Sequence, residues 1–115
     1  MWNVEYYETE NEKCPVYDFL SDLPLKLKAK AVKEIELLEE FGNQLTMPYS
    51  KNMQDGIYEL RIQVANNLAR IFYFFFLNDD IILTNGFIKK TQKTPPSELE
   101  LALKYKADHE RRFSE

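Results

Sequence analysis

Cysteine and histidine each occur once in this chain of 115 residues, as Cys14 and His109, and glycine occurs only three times. One cysteine excludes an internal disulfide and a cysteine-built zinc site, which fits a reducing compartment. With its single histidine far away in sequence, Cys14 has no evident partner for nucleophilic catalysis, and the three glycines match no phosphate-loop spacing. Asp79 and Asp80 are adjacent but stand where a turn favours Asp, so no metal site and no cofactor are expected. No stretch approaches the ~20 apolar residues of a membrane span. The first thirteen residues, MWNVEYYETENEK, lack the basic-then-apolar order of a leader, so the expectation is a soluble, cytoplasmic protein that avoids membranes.

The chain is also short of positive charge, at net −4, which argues against an indiscriminate nucleic-acid binder. The distribution is uneven. Residues 49–94 hold six basic side chains (Lys51, Arg61, Arg70, Lys89, Lys90, Lys93) against four acidic ones (Asp55, Glu59, Asp79, Asp80), giving +2 and leaving −6 for the rest. An anion site therefore belongs in that middle stretch. With 44% hydrophobic residues, residues 1–115 suffice for one domain with its own core and are too few for two.

Apolar residues are present in patterns that place the elements. Trp2, Val4 and Tyr6 alternate with Asn3, Glu5 and Tyr7 as in a strand, and Pro15 opens a short helix through Leu20. Ser21 or Asp22 is positioned to cap a longer helix ending at Gly42, buried through Leu27, Ala31, Ile35 and Leu38, the two helices forming a hairpin on a sheet. Residues 43–55 read as a loop with turn signals at Pro48, Asn52 and Asp55-Gly56. Three antiparallel strands follow, turning at Asn66-Asn67 and at Asn78-Asp79-Asp80. Thr94 is placed to cap a last helix that turns polar after Lys104, so its end is expected to project or await a partner and to leave His109 on the surface. The expected fold class is α+β: an N-terminal strand, a two-helix hairpin, a three-stranded meander joined with the first strand in one sheet, and a C-terminal helix.

The second helix carries Lys26, Lys28, Lys30 and Lys33 toward its start and Glu34, Glu36, Glu39 and Glu40 toward its end, the reverse of what the helix dipole favours. Two readings stand: a solvated face held by tertiary packing, or a basic patch that docks on a large anionic partner.

The strongest chemical signal is isolated cations on apolar strands. A strand turns alternate side chains to opposite faces, so Glu59, Arg61 and Gln63 share one face while Tyr58, Leu60, Ile62 and Val64 share the other. Arg70 shares a face with Phe72, Phe74 and Phe76. Arginine forks onto phosphate oxygens, and a lysine crowded by cations loses some preference for its charged form and can act as acid or base. Such a set supports attack of an RNA 2′-hydroxyl on its own phosphate, which needs orientation, charge stabilisation and proton transfer rather than a protein nucleophile. Arg61 and Arg70 are the candidate phosphate ligands; Lys89, Lys90 and Glu59 are the candidate proton-transfer groups. The competing reading is that Glu59 and Arg61 form ordinary cross-strand pairs and that the lysines end a strand at the surface.

The segments GIYELR, ARIFYFF and NGFIKKTQKTP, in this order before a final helix, resemble the RelE/HigB superfamily of toxins from toxin-antitoxin modules, in particular its phage-related HigB-like branch. The resemblance implies a RelE/ParE-like fold and a metal-independent, ribosome-dependent endoribonuclease that cleaves messenger RNA in the ribosomal A site. It implies catalytic roles for Arg61, Arg70, Lys89 and Lys90 and leaves the role of Glu59 open, since some relatives have a basic residue there and others do not. RNA contacts, including 16S ribosomal RNA, are then expected at Lys51, Lys93, Lys26, Lys28 and Lys30. A cognate antitoxin, often with a helix-turn-helix domain, is implied as partner, DNA being reached only through it. The branch commonly has histidine where this chain has Asn85, so the resemblance leaves the acid and base unassigned. Two further readings share the fold: a ParE-like toxin that binds gyrase, and a silent scaffold that pairs with a DNA-binding antitoxin to repress its own operon.

Overall fold

The computed structural model describes residues 1–114. The order is β1 (Asn3–Tyr6), α1 (Pro15–Asp22), α2 (Leu25–Phe41), a short 3₁₀ turn (Gly42–Gln44), β2 (Ser50–Gln54), β3 (Ile57–Val64), β4 (Asn67–Phe76), β5 (Asp80–Ile88) and α3 (Pro96–Phe113). One five-stranded sheet runs β1-β5-β4-β3-β2, with β1 parallel to β5 and every other pair antiparallel. This is the expected α+β arrangement with one additional strand.

That strand, β2, lies inside the expected loop 43–55. Its sequence SKNMQ has no apolar alternation; an edge strand needs none, because its ladder to β3 supplies the pairing and its outer side faces water. Asp55 and Gly56, both at positive φ (51° and 84°), join β2 to β3 in the two-residue turn their residue types favour. The next turn lies one residue earlier than expected, at Ala65-Asn66, and the one after it begins at Leu77; Ala65 (φ 53°) and Leu77 (φ 55°) take the left-handed conformation instead of the asparagines.

The sheet is covered on both faces. Leu27, Ala31, Ile35 and Leu38 of α2, with Val16 and Leu20 of α1, pack on Leu60, Ile62, Ile71, Tyr73, Ile81 and Leu83. Against the opposite face, Phe72, Phe74, Phe76, Ile82 and Phe87 meet Ala102 and Leu99 of α3. Burial of these rings and branched chains, at roughly 25 cal/mol per Å², is the main force holding the layers. The expected caps are not formed: Pro24 precedes α2 and Pro95 precedes α3 without any side-chain cap, since both helices start on proline-fixed backbone.

The end of α3 does not project, and His109 is not on the surface. The Tyr7 hydroxyl donates to Asp108 Oδ2 (2.5 Å), Arg112 Nη1 donates to the Glu8 carbonyl (2.8 Å), and Arg111 pairs with Glu10. His109 is buried against the rings of Phe74, Phe76 and Phe113, with centroids 5.7, 4.8 and 4.6 Å away. The polar residues that suggested a free end are the clamp that seats it.

One irregularity positions the site. Between the pairs Ile71/Gly86 and Tyr73/Leu83, β5 holds one residue more than β4, a β-bulge. Ile82 faces α3 before the bulge, and Phe87 faces α3 after it. By strict alternation, Lys89 would have shared the face of Leu83, under α1 and α2. The extra residue turns it to the face that carries Arg61 and Arg70.

Candidate functional site

The β3–β4 register sets Arg61 directly opposite Arg70, an unfavourable placement for two like charges unless a third group offsets it. Glu59 is that group. It lies two residues before Arg61 on the same face and is 1% exposed. Its Oε1 is 3.5 Å from Arg70 Nε and 3.7 Å from Arg61 Nη1, while its Oε2 accepts the Thr94 hydroxyl at 2.9 Å. Two guanidinium groups thus share one carboxylate. Arg70 Nη1 also donates to the Ala69 carbonyl (2.9 Å), whereas Arg70 Nε forms no hydrogen bond among the described residues.

The surplus of positive charge registers on the cations themselves. Burial and the neighbouring Arg61 hold the Arg70 pKa below its ordinary value, with Glu59 partly opposing them. Desolvation lowers the Lys89 pKa; Glu59 opposes this, and Arg70, Arg61 and Lys51 add to it. Lys51 belongs to this surface because β2 pairs it with Glu59 across the ladder.

Arg61, Arg70, Lys89 and Lys90 line one groove of about 510 Å³ together with Asn66 and Gln92. The groove is the size of a bound small ligand or a short stretch of single-stranded nucleic acid, and its walls supply donors suited to a phosphodiester. The remaining candidates fall elsewhere. Lys93 is exposed in the loop between β5 and α3, where its carbonyl accepts the Thr91 hydroxyl. Lys26, Lys28 and Lys30 lie on α2, which covers the other face of the sheet. Lys30 shares a recess with a groove residue, Arg61, and is paired with Glu34 at 3.2 Å.

Asn85 does not line the groove. It is buried and donates through Nδ2 to the Glu98 carbonyl (3.2 Å) and to Glu98 Oε1 (3.3 Å), fastening α3 to β5. Asn66, Gln92 and Thr94 carried no sequence signal as site residues, since a turn asparagine, a loop glutamine and a threonine before a helix have sufficient local explanations. Among the described residues, no three His, Cys, Asp or Glu side chains are grouped as metal ligands would be, and no helix is long and apolar enough to cross a membrane.

A comparison with curated proteins finds no match. The family model described as phage derived protein Gp49-like (DUF891) matches residues 18–107, a span that runs from α1 through most of α3 and includes every groove residue. The chain accordingly belongs to the Gp49-like family of phage-derived proteins, which is of the RelE/HigB toxin-antitoxin type.

Proposed function

We propose that this protein is the toxin of a toxin-antitoxin module and that it cleaves messenger RNA on the ribosome. The observation that carries the reading is the convergence of Arg61 of β3, Arg70 of β4 and Lys89, the residue that follows β5, on a groove in which one buried carboxylate, Glu59, balances only part of their charge. A scissile phosphate held by Arg61 and Arg70 gains negative charge as the reaction proceeds, and fixed guanidinium groups stabilise that gain without reorganising. Glu59 keeps the two arginines oriented, and the Thr94 hydroxyl keeps Glu59 oriented in turn.

In this mechanism the substrate 2′-oxygen attacks phosphorus while Lys89, whose charged form is disfavoured by its surroundings, takes the 2′-hydroxyl proton. The bond from phosphorus to the 5′-oxygen breaks, solvent at the open groove protonates the leaving oxygen, and a 2′,3′-cyclic phosphate remains. The substrate must be RNA, because DNA has no nucleophile at that position. A neutralising antitoxin is the partner the family type implies.

The test is brief induction of the wild type and of Arg61→Ala, followed by mapping of transcript 5′ ends. The wild type is expected to halt growth and create new ends within translated frames. Arg61→Ala is expected to lose about tenfold or more of that cleavage, since a charge-assisted contact is worth roughly 1.5–3 kcal/mol. DNA-damage signalling without new ends, or harmless overexpression of the wild type, overturns the reading.

A further inference from the structure

A second recess, of about 440 Å³, meets the cationic groove at Arg61, which lines both. It lies beyond the end of β2, where the last pair is Ser50 with Leu60 and the Arg61 amide donates to the Tyr49 carbonyl. Its walls include Tyr49, which is 42% exposed, Gln63, and the Lys30–Glu34 pair of α2. Glu34 is 3% exposed; Lys30 holds its Oε1 at 3.2 Å, and its Oε2 has no hydrogen-bond partner among the described residues. A buried carboxylate oxygen without a donor is costly, and here it belongs to a residue that lines an open recess.

We propose that this recess is a nucleoside subsite, so that a single strand of RNA crosses Arg61 with its phosphate there, one nucleoside in the cationic groove and the adjacent one at the sheet edge. The proposal rests on the reading of the protein as a ribonuclease and adds to it a base preference. Tyr49 provides a face for a base to stack on, an interaction open to any base. Glu34 provides selection: its Oε2 accepts an amino hydrogen, as carboxylates do from cytosine N4, whereas the O4 of uracil presents a lone pair to it. That oxygen is closed off from solvent, and Lys30 holds the other oxygen of the same carboxylate; the lysine side chain is 41% exposed, so in this proposal the pair opens, the ammonium swinging to the neighbouring phosphate as the amino group enters. The exchange gives the ammonium a phosphate and gives the carboxylate a neutral donor in its place. It also gives the Lys30 of α2 a role that Lys26 and Lys28, which do not line this recess, do not share.

The probes are uniformly 2′-O-methylated CpU, UpC and UpU, which cannot be cleaved, titrated into the whole protein at millimolar concentration and followed by amide and side-chain NMR shifts. One of the two cytosine-containing ligands is expected to bind about tenfold tighter than UpU, the two orders reporting which side of the phosphate enters the recess, and to move the Tyr49 and Gln63 signals. Glu34→Gln, nearly isosteric, is expected to erase that preference while retaining binding; Tyr49→Ala is expected to weaken all three ligands. Equal binding of the three, shifts confined to the groove of Lys89, or no binding at all overturns the subsite. Mapping of transcript ends judges the ribonuclease reading separately: new ends without any base bias beside the cut would leave that reading intact and remove this one.

Discussion

Arg61 and Arg70 make the same kind of contact with Glu59 but differ in surroundings, and their removal is expected to differ accordingly. Arg70 is 3% exposed, so Arg70→Ala strips a buried carboxylate of its nearest cation and should cost about 3 kcal/mol of folding stability. Arg61 is 28% exposed, and Arg61→Ala should cost less than about 1 kcal/mol. Urea titration of both variants checks the order; equal losses would mean that Glu59 does not depend on Arg70. Lys89 permits a second prediction. Its pKa is lowered by desolvation and by the three nearby cations, so its neutral form becomes available at a lower pH than the ordinary 10.5 allows. With Lys89 as the proposed base, cleavage is expected to rise with pH up to that lowered value. Lys89→Arg keeps the positive charge and removes the titration, so this variant should bind RNA yet lose the rising limb of the pH–rate profile. An unchanged limb would reassign the base.

Among the elements, α3 shows how misleading composition can be. The clustered charges at its end, Asp108, Arg111 and Arg112, suggest a free terminus, but their partners Tyr7, Glu8 and Glu10 lie a hundred residues earlier, a distance no local pattern spans. Burying His109 among phenylalanines lowers its pKa below 6.5; the nearby Glu5, Asp80 and Asp108 oppose the shift, and Arg112 reinforces it. As pH falls below 6.5 the unfolded chain binds this proton before the folded one does, so the stability present above that pH is lost toward the folded pKa. The thermal midpoint is expected to fall between about pH 7.5 and about pH 5.5, and His109→Leu should remove part of that dependence. An identical fall in the variant would assign it to other groups. The strands were more readable, because the alternation of Tyr58, Leu60, Ile62 and Val64 against Glu59 and Arg61 follows from the pleat alone. β2 was not readable, having no apolar period, and neither was the bulge in β5, since an extra residue leaves Phe87 and Lys89 looking as though they continue the phase of Leu83. Arg61 and Arg70 could therefore be placed on their faces from sequence, whereas the position of Lys89 beside them could not.

At the scale of the whole molecule, the acidic balance and the cationic groove act together. A net charge of −4 repels polyanions in general, while the groove offers local compensation to one short stretch of backbone. Binding of a short single strand should thus depend on few ion releases: for three phosphate-facing cations, log K against log salt is expected to slope by about −2. A slope several times steeper would mean that the lysines of α2 join in a broad electrostatic surface. The parallel union of β1 with β5 has a temporal side as well. Asn3–Tyr6 are made well before their strand partner at residues 80–83, and Lys89 and Thr94 come later still. A partly synthesised chain that has not yet reached residues 89–94 therefore possesses both arginines and Glu59 but no finished groove, so the cationic face is completed only after the whole sheet has been made.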